Sequence, residues 1–131
     1  MAYMKYKELT RTFNFRTMLS VEKIPDFIDH YIEPGEEILG IYGTRADTCV
    51  FTTRKLILFD IGFIGGSKKI HMFYRDKVAS STIEYKHDSI ILYLSFDSGY
   101  QSKIKFVGFE GKDKTEFRKI YLSFISGISV S

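Results

Sequence analysis

The side chains with the types of a chemical site are few in this chain, and their spacing does not assemble one. Gly62, Gly65, Gly66, Ser67 and Lys68 have the composition of a phosphate-binding loop. Such a loop needs a Gly-Lys-Ser/Thr step that opens a helix, so that backbone N–H groups and the helix dipole meet the phosphate. Here the continuation is Lys69-Ile70-His71-Met72-Phe73, which is strand-like, so the stretch reads as a hairpin loop. His30, His71 and His87 fall in a helix, a strand and a turn, with no i, i+4 partner and no cysteine neighbour of the kind a metal site uses. Cys49 is the only cysteine, which excludes an internal disulfide and a cysteine-based zinc site. Its setting, Cys49-Val50-Phe51, is that of a buried strand, where a thiol is inert. Ser80 and Ser81 lack the glycine pattern of a nucleophile elbow, and the carboxylates show no acid–base pairing. The expectation is a protein without a catalytic centre, cofactor or metal.

Binding chemistry has more support. Arg54, Lys55, Lys68 and Lys69 flank a glycine loop that carries Ile61, Phe63 and Ile64. Basic groups beside apolar ones form a rim suited to anionic lipid or to an acidic protein surface. The competing reading is that Phe63 or Ile64 folds under the loop as an anchor. The formal net charge is +3, too small to indicate nucleic acid. Lys103 and Lys105 near Tyr93 and Tyr100 imitate a base-stacking sheet, but sixteen acidic residues dilute the field. Residues 1–23 hold five basic and two acidic side chains, and the remainder holds fourteen of each sign. An acidic stretch follows at Asp26, Asp29, Glu33, Glu36 and Glu37. A dipolar surface of this kind orients docking to a partner or to a second copy.

The elements that must carry these groups follow from hydrophobic period. Ser20 to Ile32 reads as a short helix with Pro25 in its first turn, and Glu33-Pro34-Gly35 ends it. Tyr6, Leu9 and Phe13 hint at another helical turn before it. From Glu37 onward the period is two, which predicts strands over Glu37–Arg45, Thr48–Thr52, Lys55–Phe59, Lys68–Tyr74, Ala79–Lys86, Ile90–Phe96 and Lys103–Val107. Phe117, Ile120, Tyr121, Phe124 and Ile125 then form one apolar stripe of a helix, with Asp113 as N-cap and Gly127 as stop. Seven strands followed by an amphipathic helix predict an antiparallel barrel plugged by that helix. The division expected is an N-terminal helical extension over 1–33 and one compact unit over 34–131. No stretch reaches the roughly 18 apolar residues of a bilayer span, and the N-terminus lacks a signal-type apolar run, so the location expected is cytoplasmic.

Particular residues then carry a resemblance. Glu36-Glu37-Ile38-Leu39, the run from Val50 through Thr52-Thr53-Arg54-Lys55-Leu56 to Asp60, Gly62 to Lys69, and Phe73-Tyr74-Arg75-Asp76-Lys77-Val78 resemble the bacterial PH-like (pleckstrin-homology-like) domain family. The resemblance spans roughly Pro34 to Ile125. Phe73 stands where relatives usually have proline, and Lys77 where an apolar residue is common. The family implies a seven-stranded PH barrel with a C-terminal helix, no enzymatic activity and, in some branches, ring-like homo-oligomers. Eukaryotic PH domains hold phosphoinositides with a basic first hairpin loop, whereas Thr44-Arg45-Ala46-Asp47 is short and neutral.

The function expected is a non-enzymatic protein-interaction or scaffold module that self-associates. Its alternatives are a peripheral binder of anionic membrane and a small phage- or plasmid-encoded inhibitor of a host protein. Self-association is assigned to the N-terminus, where Tyr6, Leu9, Phe13 and Phe15 are too apolar for a free tail. Arg11 and Arg16 are placed to face acidic groups of a neighbour.

Overall fold

The computed structural model describes residues 13–15, 17–19, 26–43, 48–60 and 69–127. The strands are β1 (Phe13–Phe15), β2 (Thr17–Leu19), β3 (Ile38–Gly43), β4 (Thr48–Thr52), β5 (Lys55–Asp60), β6 (Lys69–Tyr74), β7 (Val78–Tyr85), β8 (Ser89–Phe96) and β9 (Gln101–Val107). Two helices accompany them, α1 (Asp26–Asp29) and α2 (Gly111–Ser126), with a 3-10 turn at Arg75–Lys77. The seven strands expected from the two-residue period are β3 to β9, each within two residues of its expected bounds.

The seven-stranded barrel, however, is an overstatement. The strands form two sheets, one in the order β1-β9-β8-β7 and the other in the order β2-β3-β4-β5-β6. Neighbours are antiparallel except for β1, which lies parallel to β9. β1 and β2 are separated by one residue yet belong to different sheets, so the chain crosses between the sheets there. At the opposite corner β6 and β7 end their respective sheets, and among the described residues no strand bridges them.

Phe13 also departs from expectation, since it lies in a strand and not in a helical turn. The spacing of Tyr6, Leu9 and Phe13 is compatible with a helix. Phe13, Phe15 and Thr17 nonetheless favour extended backbone, and β9 and β3 offer them edges to pair with. Of the expected helix Ser20–Ile32, residues 26–29 are helical; residues 20–25 lie outside the described ones.

The alternating pattern puts apolar side chains on both faces of the five-stranded sheet. Tyr42, Cys49, Phe51, Leu56, Leu58 and Phe73 face inward and meet the four-stranded sheet and α2 in the main core. Ile41, Val50, Ile57 and Phe59 face outward, where Ile28, Tyr31 and Ile32 cover them. Phe27 and Tyr31 meet the Phe59 ring edge-on at 5.2 and 5.7 Å. The segment after Asp26 thus packs on the outside of the sheet.

Phe117, Ile120, Tyr121 and Phe124 bury one face of α2 in the main core, as the stripe predicts, while Ile125 is partly exposed. The cap lies three residues before the expected one. Glu110 is the N-cap and Asp113 is the third helical residue, its Oδ2 accepting from the Glu110 N–H at 2.9 Å. An acidic residue serves either position, which is why the pattern slipped by one turn. Gly127 ends α2 with φ 74°, and its N–H reaches the Ser123 carbonyl at 2.8 Å. The Arg75 guanidinium packs against Gly127, 2.6 Å from where a Cβ would sit, and its Nε donates to the Thr53 carbonyl at 3.0 Å. The end of α2 is thereby tied to the turn between β4 and β5.

Candidate functional site at the open edge of β6

Two polar constellations stand out, and the first is structural. Lys55 and Glu36 are both buried, with Lys55 Nζ 2.7 Å from Glu36 Oε1. The Glu36 carboxylate also accepts from the Glu33 N–H at 2.8 Å and from the Thr52 hydroxyl. The Thr52 hydroxyl in turn accepts from the N–H groups of Arg54 and Lys55 at 3.0 and 2.9 Å. Burial alone would raise the Glu36 carboxyl; the hydrogen bonds from Glu33, Lys55 and Thr52 and the Lys55 charge outweigh it and hold the group below its ordinary value. This network pins residues 33–37 onto the outer face of the five-stranded sheet.

It also corrects the expected basic rim. Lys55 is 1% exposed and faces Glu36, not a ligand. Arg54 is exposed, but its guanidinium is bound to Glu33 at 2.8 Å. Phe63, Ile64 and Lys68 lie outside the described residues. Lys69 is exposed at the start of β6. Of the residues expected to self-associate, Tyr6, Leu9, Arg11 and Arg16 lie outside the described residues. Phe13 and Phe15 stand in β1, opposite Ile104 and Phe106 of β9.

The second constellation follows from the gap between the sheets. β6 pairs with β5 along its whole length, from Asp60↔Lys69 to Lys55↔Tyr74. Among the described residues no strand occupies its other side. Arg75 N–H donates to the Arg54 carbonyl at 2.9 Å, and antiparallel ladders alternate. Hence Lys69, His71 and Phe73 turn their backbone groups to β5, while Ile70, Met72 and Tyr74 turn theirs outward.

Beside this edge lies a cavity of about 720 Å³, between β6, the turn through Lys77 and the β8–β9 hairpin. Its apolar wall is a row of rings: Phe73 stacks on Phe96 at 5.1 Å and on Tyr100 at 6.4 Å. Its charged groups are Lys69, Lys77 and Asp97, all exposed. Met72 and Tyr74 are 41% and 43% exposed on the outer side of the strand, so the edge is apolar on both faces. Of these residues, the sequence assigns Lys69 alone to a binding rim. The available signal was the pair of departures from the family pattern, Phe73 and Lys77, both of which line this cavity.

Among the described residues no three His, Cys, Asp or Glu side chains gather as metal ligands would. The Cys49 thiol is buried, and burial pushes its pKa up, away from the reactive thiolate. No helix of the described residues is long and apolar enough to cross a membrane.

Comparison with known proteins agrees with this architecture. Among solved structures, the chain is similar to a DUF1696 family protein with a pleckstrin-homology domain from Shewanella loihica PV-4. The TM-score is 0.65 at 19% identity, over 82% of this chain and 95% of that one. It is also similar to a PH domain containing bacterial protein from Exiguobacterium sibiricum 255-15, with a TM-score of 0.61 at 14% identity, over 86% of this chain and 62% of that one. At such identities the likeness is one of fold. A comparison with curated proteins returns no match. A family model described as "Bacterial PH domain" matches residues 9–91, well over half of the chain, and the chain belongs to that bacterial PH domain family.

Proposed function

We infer that this domain is a non-enzymatic protein-interaction module whose partner docks along the open edge of β6. One observation carries the reading: a six-residue edge strand with outward-facing backbone groups runs beside an aromatic-walled cavity. Exposed edges are templates for another strand, and proteins without a partner for them blunt or cover them. Here the middle of the edge carries Met72, and among the described residues no strand covers it. The rim argument for an anionic membrane is weakened by the burial of Lys55 and the pairing of Arg54.

Self-association is the second reading, favoured by the same edge, since a like strand from another copy would satisfy it. One experiment separates the two. A photo-crosslinking side chain placed at Met72, in bacteria carrying the gene, is compared with one at Lys112, which is exposed on α2. The expected result is a protein adduct at Met72 and none at Lys112. An adduct of twice the 15.2 kDa chain mass identifies a second copy, and any other mass a different protein. No adduct at Met72, or the same adducts at both positions, sinks the docking face.

A further inference from the structure

Resting on that reading of β6, we propose that the docking partner is an acidic, extended peptide segment. It adds as a strand to β6, seats one aromatic or branched apolar side chain against Phe73, Phe96 and Tyr100, and directs carboxylates to Lys69 and Lys77. Three features of the site specify this occupant.

The first is the backbone. Ile70, Met72 and Tyr74 present N–H and C=O groups every second residue, a repeat of about 6.8 Å along the strand. An extended peptide returns donors and acceptors at that period, as in strand addition generally. The second is the inner wall. An added strand sends alternate side chains to the two faces of the sheet. Those sent inward meet the stacked rings of Phe73, Phe96 and Tyr100, a surface for another ring or a branched aliphatic group. Those sent outward pass Met72 and Tyr74. The third is charge. Lys69 begins β6 and Lys77 closes the turn after it, so two ammonium groups bracket a strand about 17 Å long. Neither is held in an ion pair among the described residues. Among the described lining residues Asp97 is the one carboxylate, which leaves an excess of one positive charge there. A segment of five to seven residues with acids near its ends and an apolar residue between them complements this arrangement.

The test is selection from a random heptapeptide library displayed on phage against the full chain, followed by affinity measurement with the enriched peptides as synthetic probes. Met72→Pro is the discriminating variant. The Met72 N–H points away from β5, so proline removes a docking donor without breaking the β5 ladder. Peptides N-methylated at alternate residues remove the matching donors from the other side, with no change to the protein. The expected result is enrichment of Asp or Glu flanking an aromatic or branched residue, with at least tenfold weaker binding to Met72→Pro and by the N-methylated probe. Lys69→Glu with Lys77→Glu should weaken binding by tenfold or more and reverse the preferred flanking charge. Peptides that depend on the Met72 edge but ignore the two lysines overturn the ligand chemistry and leave the docking face standing. Peptides indifferent to both proline and N-methylation overturn strand addition. Failure to enrich any peptide overturns the proposal, and the crosslinking at Met72 then decides whether the docking face survives. A light-scattering mass that is a multiple of the chain, and falls to one chain in Met72→Pro, assigns the edge to a second copy and overturns it as well.

Discussion

Glu36→Ala should be among the most damaging single changes outside the main core, although Glu36 touches no candidate ligand residue. The carboxylate takes the charge of a lysine that is 1% exposed, the hydroxyl proton of Thr52 and the Glu33 N–H. Alanine leaves the ammonium buried without its partner, and breaking a buried pair from one side costs about 3–5 kcal/mol. Glu33 Oε2 stands 3.6 Å from Lys55 Nζ and takes up part of that charge, which places the expected loss near the lower bound, about 3 kcal/mol. In a domain of this size that lowers Tm by about 12 °C. Replacing both partners by apolar residues, Glu36→Leu with Lys55→Met, should cost far less, because no charge is stranded. The pH dependence has a definite sign. The Glu36 carboxyl is held below its ordinary value of 4.5 in the folded protein. It therefore contributes stability that is complete above about 4.5 and is lost as pH falls through the lower folded value. Urea titrations of parent and Glu36→Ala should differ by a constant amount from neutral pH down to about 4.5, and converge as the pH falls on through the lower folded value. A variant within about 1 kcal/mol of the parent at neutral pH, or a difference that persists unchanged into strong acid, would refute the account of a buried, ionised pair.

Two further perturbations probe the packing behind the site. Gly40→Ala puts a Cβ 2.6 Å from Ile120 Cδ1 and should cost about 1–3 kcal/mol by overpacking; adding Ile120→Val removes that methyl and should recover most of the loss in thermal melts. Tyr42→Phe should leave stability unchanged or raise it by up to about 1 kcal/mol, since the buried hydroxyl has no partner among the described residues and its removal strands nothing.

The strands and the plug were legible because their signals are local. Ile90 to Phe96 alternates without interruption, and its inward residues Ile90, Leu92, Leu94 and Phe96 are all buried. The stripe of α2 gave four of its five expected buried positions, and Ile125 failed because it sits at the margin of the stripe. Phe13, which the spacing with Tyr6 and Leu9 puts in a helical turn, lies in a strand for the opposite reason. Three-residue strands carry too little period to be told from a helical turn, and what settles them is pairing with β9 and β3, which lies far away in sequence. The burial of Lys55 escapes the sequence on the same ground. A lysine next to Arg54 at a turn looks exposed, and only the return of Glu36 across the sheet buries it.

The candidate site was hidden by a deeper limit. Phe73, Phe96 and Tyr100 each have the pattern of a core aromatic, and alternation places Phe73 and Phe96 inward in agreement with their burial. What turns core aromatics into the wall of a cavity is the absence of a ladder between β6 and β7. The strands of a closed barrel and those of two sheets meeting at an open corner share one period and one sequence of turns. The difference lies in the junction itself. Arg75–Lys77 forms a tight 3-10 turn between them, and the Asp97 N–H then donates to the Lys77 carbonyl at 3.0 Å. That bond anchors the turn to the β8–β9 hairpin and carries β7 into the other sheet. Among the described residues β6 is left with one neighbour, and the space where a closing ladder would run becomes the cavity. The edge and the aromatic wall are thus two consequences of one event in the chain path, so a ligand suited to the wall also meets the unpaired backbone beside it.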